Sequence, residues 1–501
     1  MLIEMHAHTA EHSACSSVSA VELVRRVHAK GVQGIVLTDH HYLWAEDDLR
    51  QLRQSAAIPE YFLIVAGQEV STADFGDVLV YGAGETLQRG ITLQDISVNW
   101  PEAALLWAHP YRNGRRPSDQ SLLNPLFDGI EIFNSNHTAR ENSWGLRDWH
   151  RLRFTAIAGT DTHGASYAGT YPTLFDHAVL TVADLASELR AGRCRPFVKE
   201  IPHAGANSQV TEVTIGTKGD DEQRQRIVIR TIDSRDSWRS ADRAHRVMAE
   251  IGQHGFHSGS YRVPVAIDED PATFTLIEQG VRGKSLHDKL LQSDEEDGRH
   301  YLRLTGEWLA RLHNLELNVT PADEFLPREH QRLANYLKRF TEIRHPQSRK
   351  AAALMEMVTE HEKRFMDAGC RLAQGHGDFH LKNVFIGQDS QEQRGTAFVA
   401  AIDFESSMVL PRAFDVGCFV AQYRNQFFSR LDIRERFPLQ IFLDAYLHNL
   451  HDKEENFAAQ VALYRARTNL SIAAYLIRLG LGDSEDLWRV LVEGEEALAH
   501  L

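Results

Sequence analysis

Five short stretches, the first opening at His6 and the last ending at His163, share one arrangement: an apolar run gives way to histidine or carboxylate. They are His6-Ala7-His8, Thr38-Asp39-His40-His41, Gly67-Gln68-Glu69, Ala108-His109-Pro110 and Gly159-Thr160-Asp161-Thr162-His163. Strand signals precede them at 2–5, 34–38, 62–66, 105–107 and 155–158, with further strands expected at 78–81 and 129–133. Helical stretches separate several of these: one opens on Ser19 with Glu22 three residues on and stops at Gly31, one covers 139–152, and one covers 182–191. This βα rhythm predicts an α/β fold with a parallel sheet or barrel, whose chemistry collects just past the strands. His-x-His on an extended segment points both rings the same way. Imidazole combined with carboxylate suits Zn²⁺, Mn²⁺ or Fe²⁺.

Composition narrows the field. In 501 residues, 54 basic side chains face 69 acidic ones, a formal charge of −15. A chain of that sign repels phosphate backbones, which disfavours a nucleic-acid partner. The length favours two or three domains. Cys15, Cys194, Cys370 and Cys418 form no CxxC pair and read as reduced thiols of a cytoplasmic protein. Neither a signal peptide nor a membrane-spanning run is expected.

Taken together, the five stretches resemble the PHP (polymerase and histidinol phosphatase) family over about residues 1–200. The resemblance implies a distorted seven-stranded βα barrel, (βα)7, acting as a metal-dependent phosphoesterase with two or three divalent ions (Mn, Zn or Fe) at its rim. By motif position, His6, His8, Glu69 and Asp161 would hold one ion, and Glu69, Asp77 and His109 a second. His40 and His163 would hold a third with His12, for which Glu11 or Cys15 are alternatives. Asp77 stands where relatives often carry histidine. Glu131 and Asn134 are expected behind the ligands, and Asp39 is expected to orient His40 or a neighbouring ring. Paired ions clamp phosphate oxygens and acidify water. Arg112, Arg115 and Arg116 would either grip a substrate phosphate or form a solvated basic loop.

A second motif lies far downstream. His376-Gly377-Asp378-Phe379-His380-Leu381-Lys382-Asn383 is followed by the apolar run 399–402 and then Asp403-Phe404-Glu405. Phosphoryl transfer needs a carboxylate to accept the proton of an attacking hydroxyl, here Asp378. It also needs oxygen ligands that hold Mg²⁺ against nucleotide phosphates, here Asn383 and Asp403. The five-residue step from Asp378 to Asn383 matches the kinase catalytic loop. Between the two motifs, 195–202 reads as a proline-bracketed connector. Beyond it, 210–215 and 226–232 read as a strand pair with 218–225 as its turn, 241–253 as a helix and 273–278 as a strand. Helices dominate from Tyr301 onward.

From about His203 to the end the chain resembles the aminoglycoside phosphotransferase and choline kinase-like family. That implies an α+β, two-lobed, protein-kinase-like domain at 203–501, with an N-lobe at about 203–280 and a helix-rich C-lobe at about 281–501. It implies Mg²⁺ and ATP as cofactors and a small-molecule hydroxyl as acceptor. Gly205, Asn207 and Ser208 resemble the nucleotide loop, Glu278 falls in the hinge, and Arg230 replaces the usual phosphate-pairing lysine. Asp415 would brace the catalytic loop, and His376 is structural. The expected whole is a bifunctional enzyme, a phosphate-ester hydrolase joined to a kinase. The alternatives are that one domain senses or scaffolds for the other, or that the first is a nuclease.

Overall fold

The computed structural model describes residues 1–204, 208–217, 225–388, 397–499 and 501. The chain divides into two compact units, one of residues 1–231 with 277–280 and the other of 232–276 with 281–501.

The first unit holds two five-stranded sheets. One is built from β1 (Leu2–Glu4), β2 (Gly34–Leu37) and β3 (Leu63–Ala66). The other is built from β4 (Gln68–Thr72), β5 (Gly76–Tyr81), β6 (Ala104–Trp107), β7 (Gly129–Phe133) and β8 (Ala156–Ala158), in that order. β9 (Thr173–Phe175) and β10 (Cys194–Pro196) complete the first sheet, ordered β10-β9-β1-β2-β3. β1–β2–β3 and β6–β7–β8 pair in parallel, as the βα rhythm predicts. The sheets are nonetheless mixed. β4 and β5 form an antiparallel hairpin, β5 meets β6 antiparallel, and β9 runs against both β1 and β10. A parallel sheet or barrel was expected; β4 and β5 pair antiparallel because only residues 73–75 join them, too few for the crossover a parallel pair needs.

Side-chain capping sets the helices. Ser19 caps the helix Ala20–Ala29 by accepting from Glu22 N. Glu22 itself pairs with Arg26, and Glu11 takes the Ala20 amide. Thr138 and Glu141 form a full capping box on the helix Ala139–Leu152. The segment 195–202, expected as a connector, is strand instead. β10 pairs with β9, and β11 (Val198–Ala204) pairs with β12 (Ser208–Ile215). Pro202 is tolerated because β11 lies at the edge of its sheet. β13 (Gln225–Ile232) is the next neighbour of β12; most of the expected turn lies outside the described residues.

The second unit carries the helix Arg235–Ile251, then β14 (Tyr261–Arg262), β15 (Ala266–Asp270), part of β16 (Thr275–Gln279) and β17 (Lys284–Ser285). After three long helices come β18 (Leu372–Gly375), β19 (Val384–Gln388), β20 (Ala397–Ala401) and β21 (Met408–Pro411). β19 and β20 pair antiparallel, as do β18 and β21. The helices Arg412–Gln426 and Phe457–Arg478 are buried on most sides, which suits the centre of a helical domain. No helix among the described residues is long and apolar enough to cross a membrane.

Candidate metal centre and phosphotransfer loop

In the first unit, the ends of β1, β4 and β8 deliver four donor atoms to one point. His8 Nε2 lies 3.1 Å from Glu69 Oε2 and 3.1 Å from Asp161 Oδ1. His6 Nε2 lies 3.1 Å from His8 Nε2, 3.3 Å from Glu69 Oε2 and 3.4 Å from Asp161 Oδ1. Ligands about 2.1 Å from a tetrahedral ion stand about 3.4 Å apart, so these spacings fit a shared cation.

The partners behind the ligands fix their tautomers. His6 Nδ1 meets Glu131 Oε1 at 2.9 Å, so it carries the proton and Nε2 is left as a lone pair. Ser13 Oγ donates to Asp39 Oδ1 at 2.6 Å and can therefore accept from His8 Nδ1, 3.3 Å away. Asp39 thus reaches the His8 ring through Ser13, whose Oγ also accepts from His40 N. Asp39 itself accepts from Thr9 and from Trp44 Nε1. Gly159 permits this crowding, since a Cβ there would sit 2.5 Å from His6 Cβ and 2.6 Å from Glu131 Oε1. His109 and Asp161 adopt positive φ, a strained backbone of the kind that collects at ligand sites.

Two further groups adjoin the first: Glu69 with Asp77 and His109, and His8 with His40 and His163. His109 Nε2 is 2.8 Å from Glu69 Oε1 and 3.9 Å from Asp77 Oδ2. His163 Nδ1 is fixed on the Asp161 carbonyl at 2.9 Å. His12 falls elsewhere: its ring stacks on Tyr42 with centroids 3.6 Å apart, and His8 fills out the third group. Arg112 pairs with Asp161 Oδ2, while Arg116 lies over the Trp144 ring.

The electrostatics are compatible with a cation site. Burial alone would protonate Glu69 and Asp161, yet His6 and its neighbours hold both carboxyls well below their usual range. Burial opposes charge on His6 too, but Glu131, Asp161 and Glu69 overcome it and raise the ring well above its usual value. A divalent ion bound there would balance the same carboxylates. Ser13 and Asn136, which donates to the Asp161 carbonyl at 2.8 Å, were not legible as site residues.

In the second unit, β18 leads into 376–383 and β19 leads out. Gly377 has φ +80°, and a Cβ there would lie 2.1 Å from the Ser406 carbonyl, so only glycine fits. Asp415 accepts from His376 N and Gly377 N, each at 2.7 Å. His376 Nε2 donates to Ile402 O at 2.9 Å, tying the loop to the strand end that carries Asp403. Asp378 is half exposed. Burial pulls its carboxyl up, but His380 and His376 outweigh this and lower it, so the base form holds at neutral pH. Asn383 Nδ2 donates to the Asp378 carbonyl at 3.1 Å, which leaves Oδ1 as the atom available to a metal. Asp403 sits at φ 68°, ψ 68°. Oxygen donors of this kind fit Mg²⁺.

Of the residues expected at the nucleotide, Ser208 opens β12, Arg230 lies on β13 and Glu278 on β16. Gly205 and Asn207 lie outside the described residues.

The family model described as the phosphotransferase enzyme family matches residues 200–489, more than half of the chain. None of the metal-centre residues falls inside that match. Similar solved structures include an ethanolamine kinase of Plasmodium vivax, 14% identical, covering 60% of this chain and 81% of its own, with a TM-score of 0.41. A choline kinase from Cryptosporidium parvum Iowa II is 14% identical over 61% of this chain and 89% of its own, TM-score 0.42. The streptomycin–ATP complex of APH(2")-IIa is 14% identical over 60% and 91%, TM-score 0.38. No curated protein matches the chain.

Proposed function

Because the chain belongs to the phosphotransferase enzyme family, we propose that residues 203–501 transfer the terminal phosphoryl group of Mg·ATP to a small-molecule hydroxyl, and that residues 1–200 hydrolyse a small phosphate ester. In the kinase half, Asp378 takes the proton of the attacking hydroxyl, and Asn383 and Asp403 hold Mg²⁺. Gly205, Asn207, Ser208, Arg230 and Glu278 serve the nucleotide. The hydrolase half is a distorted βα barrel with His6, His8, Glu69, Asp77, His109, Asp161, His40 and His163 as ligands. Bound there, divalent ions would supply Lewis acidity toward the ester and acidify water. The chain's own residues would hold the geometry: Glu131 and the Asp39–Ser13 pair aim His6 and His8, and Arg112, which pairs with Asp161, would meet an anionic substrate. The four cysteines are free, which suits a reducing cytoplasm.

The observation that carries the hydrolase reading is the convergence of His6, His8, Glu69 and Asp161 donor atoms at 3.1–3.4 Å. The test is to incubate the full-length protein with phosphorylated metabolites, with and without Mn²⁺, and separately with hydroxyl compounds, Mg²⁺ and ATP, following both by mass spectrometry. Metal-dependent phosphate release and ATP-dependent phosphorylation are the expected results. Absence of the first from metal-loaded protein would overturn the hydrolase half, and absence of Mg·ATP binding would overturn the kinase half.

A further inference from the structure

His313, the last residue of the helix Glu295–His313, was not among the residues singled out in the sequence, and its side chain is fully buried. Its Nε2 lies 3.1 Å from Asp415 Oδ2, and its Nδ1 lies 2.8 Å from the Tyr446 hydroxyl. Asp415 is equally buried and accepts the His376 and Gly377 amides. We propose that His313 is a positioning residue of the phosphotransfer loop, acting through Asp415 on the two amides that precede Asp378. The positioning role rests on the phosphotransfer reading above; the contact does not.

The chemistry runs in one direction. A carboxylate only accepts, so Nε2 must carry the proton in the His313–Asp415 bond. The neutral ring then has a lone pair on Nδ1, and the Tyr446 hydroxyl donates to it. Tyr446 thereby favours the tautomer that Asp415 needs. Three donors hold Asp415 in one rotamer: His313 and His376 N on Oδ2, and Gly377 N on Oδ1. A buried carboxylate that loses a donor turns or draws in water to recover it. Either movement shifts Gly377, where the Ser406 carbonyl already fills the place of a Cβ. The displacement would reach Asp378, the next residue.

The test uses the full-length chain and two substitutions. His313→Leu keeps much of the volume and removes the donor. His313→Gln keeps an N–H within reach of Asp415. Hydrogen exchange of peptides spanning 375–383 reads the loop without any substrate. The leucine variant should exchange about tenfold faster there. Its Asp378-dependent ATP hydrolysis in Mg²⁺ should fall about 10²-fold with KM for ATP nearly unchanged, as expected for a misplaced catalytic group. The glutamine variant should recover most of both. Tyr446→Phe removes the hydroxyl that favours this tautomer but leaves the Nε2 donor available to Asp415, so its loop exchange should rise by less than in His313→Leu. Wild-type loop exchange in His313→Leu, or equal loop exchange in Tyr446→Phe, overturns the proposal. If the leucine variant fails to fold, His313→Gln decides, and loss of loop protection there overturns it. If the wild type binds no Mg·ATP, the phosphotransfer reading fails while the exchange result still decides the contact.

Discussion

The candidate metal centre and the phosphotransfer loop use opposite means to place carboxylates. At the metal centre, side chains aim side chains. His6 is set by Glu131 and His8 by Ser13 and Asp39, and buried charges crowd within 3.4 Å of one another. Such an array suits a cation that satisfies all of its members at once. In the loop, backbone does the aiming. Asp415 grips two amides, Asn383 grips the Asp378 carbonyl, and Gly377 supplies a conformation that no other residue adopts cheaply. Asp378 is left half exposed, open to a diffusing substrate. The first site is therefore expected to be sensitive to charge and metal, and the second to backbone geometry.

Four substitutions sharpen or break that contrast. Asp378→Asn should lower phosphotransfer by about 10³-fold, the scale of a lost general base, with Mg·ATP affinity unchanged by calorimetry. Equal losses in turnover and binding would remove Asp378 from the role of base. Gly377→Ala should destabilise the second unit by about 3 kcal/mol, lowering Tm by about 6 °C in a thermal melt. An unchanged Tm would mean that the loop is not held by its backbone. Glu131→Gln should weaken metal binding about 10–100-fold without unfolding the first unit, measured by competition with a chelating dye.

The smallest effect concerns Glu362, a buried carboxyl raised from 4.5 to about 8, first by burial and then by the charge of Glu329. It is fully buried in the second unit, where Arg467 pairs with Glu329. Its folded pKa exceeds the unfolded one. The stability it permits is therefore complete below about pH 4.5 and is lost as pH rises through about 8. Glu362→Gln should raise Tm by about 3 °C at pH 8 and leave it unchanged at pH 4. The opposite order would mean that Glu362 is ionised in the fold, as Glu69 and Asp161 are in the metal centre.

What the sequence made legible follows from the same contrast. Histidine and carboxylate at strand ends pointed to residues that the fold brings together, and the strand at 129–133 and helix at 139–152 coincide with β7 and with Ala139–Leu152. β4 was hidden because Gln68-Glu69 follows β3 so closely that the segment reads as a ligand-bearing loop. The run 195–202 carries prolines that signal a linker, but edge pairing accommodates them. His12 sits one turn of chain beyond His8 and has the right chemistry; its aromatic neighbours Tyr42 and Trp44 are brought up only by the tertiary fold. Ser13, Asn136 and His313 act through partners tens or hundreds of residues away, and nothing local marks them.

The central claim is that His6, His8, Glu69 and Asp161 form a metal centre whose loss leaves the phosphotransfer machinery intact. The most direct measurement is elemental analysis of wild type and Glu69→Gln, each saturated with Mn²⁺ and desalted, with Mg·ATP calorimetry on the same samples. The account predicts about two or more ions per chain in the wild type. It predicts less than about one in Glu69→Gln, because the removed carboxylate is shared between two of the groups. Mg·ATP affinity should be the same in both. Full metal content in Glu69→Gln, or wild-type protein that retains no transition metal, would contradict it.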